Sequence, residues 1–342
     1  MLSLLNRFLF SGLLIAASPI HGFASPADSK LLPLIPGEAQ IVAGVEDPGN
    51  PDTRGHLLLV TGKNTFDFDD CLALTGMDTH RGVVETIWIA ASTPPAELNE
   101  HMLLVSGRFD RAHIFQASEQ NGAATTIYRG LEVLLVKPFA REQQQMRDTR
   151  WLAILDGNSV VFGTPWLVQK ALDRYVDHEP ANSLVADRLR RLHPQVNSWN
   201  LLVIPHGMSS KRAALGQSSG FLETDSHASH LYEVMPDGAD ELTLGIRYGA
   251  IARVDFAVWM AADRQTSNST DTAALQQLFQ PGLLQKLRPR LENLTIDHNL
   301  IQGSMILPGK QLNAYFSLVS TGGPGGHTSR QVSSVSRGIL SR

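Results

Sequence analysis

The chain has 342 residues, 43% hydrophobic, 18% charged and 7% aromatic, a balance that excludes a fibrous or wholly disordered protein. Its 29 basic and 33 acidic side chains give a net charge of −4 with no basic stripe, which disfavours nucleic acid and anionic lipid as partners. One cysteine, Cys71, excludes an intramolecular disulfide.

The first element is the segment 1–24, which holds no carboxylate and a single basic residue, Arg7. An apolar run over 8–20 follows, then Gly22-Phe23-Ala24 before Ser25. A basic start, an apolar stretch shorter than the roughly 20 residues that span a bilayer, and small residues at −3 and −1 are the order of a cleaved secretory signal. The expectation is an exported, periplasmic or extracellular protein with no stable membrane span after cleavage. An uncleaved anchor is the alternative, because 1–5 is also apolar.

Residues 31–37 carry Pro33 and Pro36 and read as an extended entry segment. Strands are expected over 40–46 and 56–61, then a helix over 66–74 stopped by Gly76, then a strand over 83–91. Cys71 continues the apolar pattern of that helix and reads as a buried thiol, since no Lys, Arg or His stands near it in sequence. The phrase His56-Leu57-Leu58-Leu59-Val60-Thr61-Gly62 returns 45 residues later as His101-Met102-Leu103-Leu104-Val105-Ser106-Gly107, matching at five of seven positions. Two related strand–helix units are implied.

Asp110 reads as the N-cap of a helix that ends at Asn121-Gly122. Strands over 125–128 and 131–136 follow, joined through Arg129-Gly130. A second hairpin turns at Asp156-Gly157-Asn158 between strands over 151–155 and 159–163. Thr164 and Pro165 open a helix whose Leu167, Val168, Ala171, Leu172 and Tyr175 share one face. Another helix starts at Ser183 and stops at His193-Pro194, and a strand covers 199–204. Beyond it, a hairpin pairs 242–248 with 253–261, helices are expected from Thr270 or Asp271 to Phe279 and over 283–291, and a last hairpin pairs 294–297 with 300–307. Pro308 is expected to start a helix carrying Leu312, Tyr315 and Leu318. From Thr321 the chain is glycine-, serine- and arginine-rich and is expected to be disordered.

The fold class expected from these elements is α+β, with antiparallel sheets, helices packed on one face and two related lobes from a duplicated ββα-type unit. The corresponding division is a signal over 1–24, an N-terminal lobe over 31–205, a C-terminal lobe over 206–321 and a tail over 322–342. The phrases Leu103-Leu104-Val105-Ser106-Gly107-Arg108-Phe109-Asp110 and Tyr128-Arg129-Gly130, with the stretch 151–171, resemble those of exported bacterial proteins of unknown function with a strand-rich α+β layout. That resemblance spans 31–204 and implies export and fold, and no activity.

Three motifs offer chemistry. Gly216-Gln217-Ser218-Ser219-Gly220 matches G-x-S-x-G, with Asp225, His227 and His230 downstream, but its flanks are polar and lack the strand and helix that expose a nucleophile at such an elbow. His227 and His230 share a helical face and suit a divalent metal, yet no third ligand stands at a matching spacing. Asp67, Asp69 and Asp70 are explained as an N-cap and first turn. No phosphate-binding glycine loop is present, so no nucleotide cofactor is expected. The sequence thus favours a non-catalytic binding or scaffolding protein of the cell envelope with a protein or small-molecule partner. A serine hydrolase using Ser218 with His227 or His230, and a metal-binding protein using His227 and His230, are the alternatives.

Overall fold

Twelve strands lie side by side in one antiparallel sheet in a computed structural model that describes residues 25–46, 83–91, 100–136, 149–203, 239–261 and 290–312. In chain order they are β1 (Ile41–Glu46), β2 (Val83–Ala91), β3 (Glu100–Gly107), β4 (Ala124–Tyr128), β5 (Leu131–Val136), β6 (Arg150–Ile154), β7 (Ser159–Gly163), β8 (Ser198–Val203), β9 (Ala239–Arg247), β10 (Ile251–Met260), β11 (Arg290–Asp297) and β12 (Leu300–Pro308). Their order across the sheet is β11-β12-β10-β9-β8-β1-β2-β3-β7-β6-β5-β4. Three helices lie wholly within the described residues, α1 (Arg111–Gln120), α2 (Pro165–Val176) and α3 (Ser183–Leu189), and residues 309–312 after β12 are also helical.

The central strands read as near-continuous apolar runs because both of their faces are buried. In β1, Ile41, Ala43 and Val45 join one core cluster while Val42 joins the other, and β2 divides Trp88 and Ala90 from Ile87 and Ile89 in the same way. One face is covered by α2, whose Leu167, Val168, Ala171 and Leu172 are fully buried, and by Val185 and Leu189 of α3. Ile114 of α1 belongs to the cluster on the opposite face.

These observations overturn the expected α+β class with its several helix-packed sheets and two lobes, because the described residues form one twelve-stranded antiparallel sheet with only a few helices. Val203 and Glu241 pair in register across the 205 boundary as part of the β8–β9 ladder, so the sheet is continuous where a division was expected. Nor are the helices confined to one face, since α1 lies against the core opposite to that of α2 and α3.

Local expectations fared better. Asp110 caps α1 through the His113 N–H at 3.0 Å, and Arg129 and Gly130, both at positive φ, make the β4–β5 turn. Thr164 stands at the N-cap of α2, but its hydroxyl donates to the His101 carbonyl instead of capping. The proline-rich entry segment is not extended. It forms the 3₁₀ turn Leu32–Leu34, the second after one at Pro26–Asp28, and seats Leu31, Leu32, Leu34 and Ile35 in the helix-covered core. Arg174 Nε donates to the Pro33 carbonyl at 2.7 Å and pins the second turn. Arg290 and Leu291, expected in a helix, open β11 and pair with Ile306 and Met305. The first copy of the repeated phrase and the 66–74 helix lie outside the described residues.

Candidate ligand pocket

Ser218, His227 and His230 lie outside the described residues, as do Cys71 and the Asp67, Asp69, Asp70 group. A polar cluster that sequence reading missed lies on β10 and β12, where the helical cover of the sheet runs out.

It begins with Gly245 of β9. A Cβ there would come within 3.0 Å of Leu192 and Val196, so the bare backbone lets the segment after α3 lie down on the sheet. That approach brings the His193 N–H to Oδ2 of Asp255, the register partner of Gly245, at 3.2 Å. Asp255 Oδ1 accepts from Arg253 Nε at 2.8 Å and from Ser304 Oγ at 2.7 Å, and Arg253 Nη2 donates to Ser304 Oγ at 2.8 Å. A carboxylate only 7% exposed is stable here because three donors replace its water.

Around this circuit lies an open groove of about 270 Å³ lined by Arg191, His193, Asn293 and Gln302 in addition to Arg253, Asp255 and Ser304, with Leu192, Phe256 and Ala257 as apolar wall. Asn293 reaches it because β11 bulges. Glu292 pairs with Ser304 and Thr295 with Gln302, so Asn293 and Leu294 stand opposite Gly303 alone. Asn293 takes φ +52°, a left-handed conformation that asparagine tolerates better than most side chains. Gly303 permits the bulge, since a Cβ would meet Phe256 at 2.9 Å and Leu294 at 3.3 Å. Nearby, Arg188 of α3 lies 4.0 Å over the Trp259 ring of β10 and donates from Nε to Glu241 of β9 at 2.6 Å, and the Arg191 guanidinium stands 5.9 Å from the same ring.

The circuit is built to hold a shape. Ser304 donates to a carboxylate that Arg253 already neutralises, and His193 hydrogen-bonds to the cluster through its backbone N–H. A nucleophilic serine needs a base free to take its proton, and the base bonded to Ser304, the Asp255 carboxylate, is already engaged by Arg253 and the His193 N–H. His193 Nδ1 accepts the Gln195 N–H at 3.2 Å, which leaves Nε2 as the N–H donor.

Two further groups of titrating residues sit at the sheet centre. Glu46 and Glu85 are register partners, and burial pushes both carboxyls up to about 7. Ser29 Oγ donates to Glu85 at 2.7 Å, and the Glu46 charge adds to the upward push on Glu85. His101 stacks on Trp88 with ring centroids 5.7 Å apart. Burial, with the Arg150 charge, pushes the imidazole down to about 4. Among the described residues no group of three or more His, Cys, Asp or Glu is arranged to hold a metal.

No protein-family model matches the chain, and no curated protein matches it. Among solved structures the chain is similar to crystal form I of TP0453, a Treponema protein, at 10% identity over 85% of this chain and 98% of that one, with a TM-score of 0.48. It also aligns with aspartate kinase from Synechocystis at 10% identity over 84% of this chain and 55% of that one, with a TM-score of 0.13. Likenesses of that size carry no argument about function.

Proposed function

We propose that this chain is an exported binding protein of the cell envelope that holds a ligand without transforming it. The observation that carries the reading is the closed Arg253–Asp255–Ser304 circuit, joined by the His193 N–H, at the base of the open groove. Each of its polar groups stabilises another, so the groove keeps its shape when empty and a ligand meets donors already in place. Such preorganisation raises affinity because less ordering remains to be done on binding. Export rests on Arg7, the apolar run 8–20 and the small residues Gly22 and Ala24.

Two measurements test it. Fractionation with N-terminal sequencing should find the protein outside the cytoplasm and starting at Ser25, and an intact Met1 on cytoplasmic protein would overturn the export. Purified protein should leave chromogenic ester substrates untouched. Turnover that disappears in Ser304→Ala or Ser218→Ala would make the chain a hydrolase and end the binding reading.

A further inference from the structure

We infer that the groove binds a small molecule through an oxyanion, a carboxylate or phosphate group, with Arg191 as its principal charge contact. The inference rests on the binding reading above and names the ligand class for that site.

The donor count of the lining points to it. Among the described lining residues Asp255 is the one carboxylate, and its charge is balanced by Arg253 and satisfied by three donors, so it does not repel an incoming anion. What remains to face a ligand is weighted toward donors: the Arg191 guanidinium, Arg253 Nη1, His193 Nε2–H and the amides of Asn293 and Gln302. With the Arg253 and Asp255 charges cancelling, Arg191 leaves the groove positive. Guanidinium and N–H donors converging on one concavity suit an acceptor-only group, and charged hydrogen bonds are stronger than neutral ones. Arg191 is held near the groove by the Trp259 ring, and its side chain is not a member of the circuit below.

Size narrows the class. At the roughly 30 Å³ that a water-sized group occupies, 270 Å³ takes about nine non-hydrogen atoms. That fits a small dicarboxylate or a phosphate with a short organic body, and it excludes a nucleotide or an acyl chain lying wholly within the groove.

Calorimetric titration of the full chain with three probes decides the matter: succinate, inorganic phosphate and succinamide, the last being succinate with its charge removed. Succinate or phosphate should bind and succinamide should not, and the two anions tell which oxyanion is preferred. Affinity should weaken as salt is raised, because the contact is partly exposed. Arg191→Gln should lower it about tenfold or more, Arg191→Lys should retain most of it, and Asn293→Gly, which keeps the left-handed backbone, should lower it about threefold. Unfolding curves without ligand confirm that each variant is folded. Equal binding of succinamide, unchanged affinity in Arg191→Gln, or no binding of either anion at millimolar concentration would overturn the oxyanion assignment. Those results leave the binding reading standing, whereas ester turnover would remove it.

Discussion

The two faces of the sheet at its centre handle the same problem differently. On the helix-covered face, Trp199 is 1% exposed and lies over Gly44, where a Cβ would come within 2.2 Å of its ring. Ser29 reaches across to Glu85, and Arg174 and Asn182 tie the entry segment to the helices above. On the opposite face Trp88, equally buried, stacks on His101, and Trp88 Nε1, His101 Nδ1, Thr86 Oγ1 and Ser198 Oγ have no hydrogen-bond partner among the described residues. On the helix-covered face of these same central strands and their neighbour β9, Thr243 Oγ1 is in the same position. Helices and turns bring backbone carbonyls and side chains that can meet polar groups, so a helix-covered face can carry charge. The difference also explains where the groove lies. It opens on the helix-covered face just past α3, where polar side chains on β10 and β12 take over from helical cover.

That comparison can be broken in several places. The largest effect is expected at Trp199. Trp199→Ala should cost about 3–5 kcal/mol in urea unfolding by removing a fully buried indole. Gly44→Ala should cost about 1–3 kcal/mol by driving a methyl into that ring, and far less once the ring is gone. Additive costs in the double variant would show that the ring does not rest on Gly44.

Next is Asp255. Asp255→Ala leaves Arg253, Ser304 and the His193 N–H without their acceptor, at a cost of about 2–3 kcal/mol in the same measurement. This is below the figure for a fully buried pair, because about a quarter of the Arg253 side chain still meets water. A cost under about 0.5 kcal/mol, the range of ordinary surface changes, would mean that the circuit does not hold the groove.

Smaller, and of opposite sign on the two faces, is the response to pH. Glu46 and Glu85 have folded values near 7 against 4.5 for the free side chain, so the folded state holds more protons between those values. Their contribution to stability is therefore present at acid pH and lost as pH rises from about 4.5 to about 7. His101, near 4 against 6.5, acts in reverse, and its contribution is lost as pH falls from about 6.5 to about 4. The two oppose each other in the overlap. Replacing both carboxyls, Glu46→Gln with Glu85→Gln, should leave a profile that mainly rises with pH, and His101→Leu one that mainly falls, each change on the order of 1 kcal/mol across the window. Identical profiles in both variants would show that neither group is desolvated.

The least effect is expected at Gly303. Gly303→Ala should cost about 1 kcal/mol, since the Phe256 ring and the Leu294 side chain can yield by a few tenths of an ångström. It should also weaken succinate binding by displacing the bulge that carries Asn293.

Most local structure was legible in the sequence because it follows from local rules. Asp110 as a cap, Pro165 at a first helical position and Asp156-Gly157 in a turn act within a few residues of chain. The β2 strand and the buried face of α2 could likewise be read from apolar patterning. What stayed hidden is non-local. Nothing near Val203 says that its partner is Glu241, so a continuous sheet was taken for two lobes. The groove was hidden for the same reason, since Arg253 and Asp255 sit beside Ser304, about fifty residues away, only through the β10–β12 register. A signal was present all the same. Arg253-Val254-Asp255 sets two charges at alternate positions of a strand that is otherwise apolar, and two like-facing charges in such a strand require a polar partner on the next one. On the Pro33 segment, proline forbids a regular α-helix but not every helical turn. A 3₁₀ turn accepts proline at its start, and burial of the flanking leucines stabilises it.

Among the described residues β11 is an edge strand of eight residues, and a regular strand with its outer N–H and C=O groups unpaired would template pairing with another copy. Asn293 and Leu294 break that row, since the bulge turns successive amides out of line and twists the strand away from a would-be neighbour. The irregularity that sets Asn293 at the groove therefore also interrupts the edge that β11 forms among the described strands, so a straightened β11 should lose solubility along with the lining of the groove.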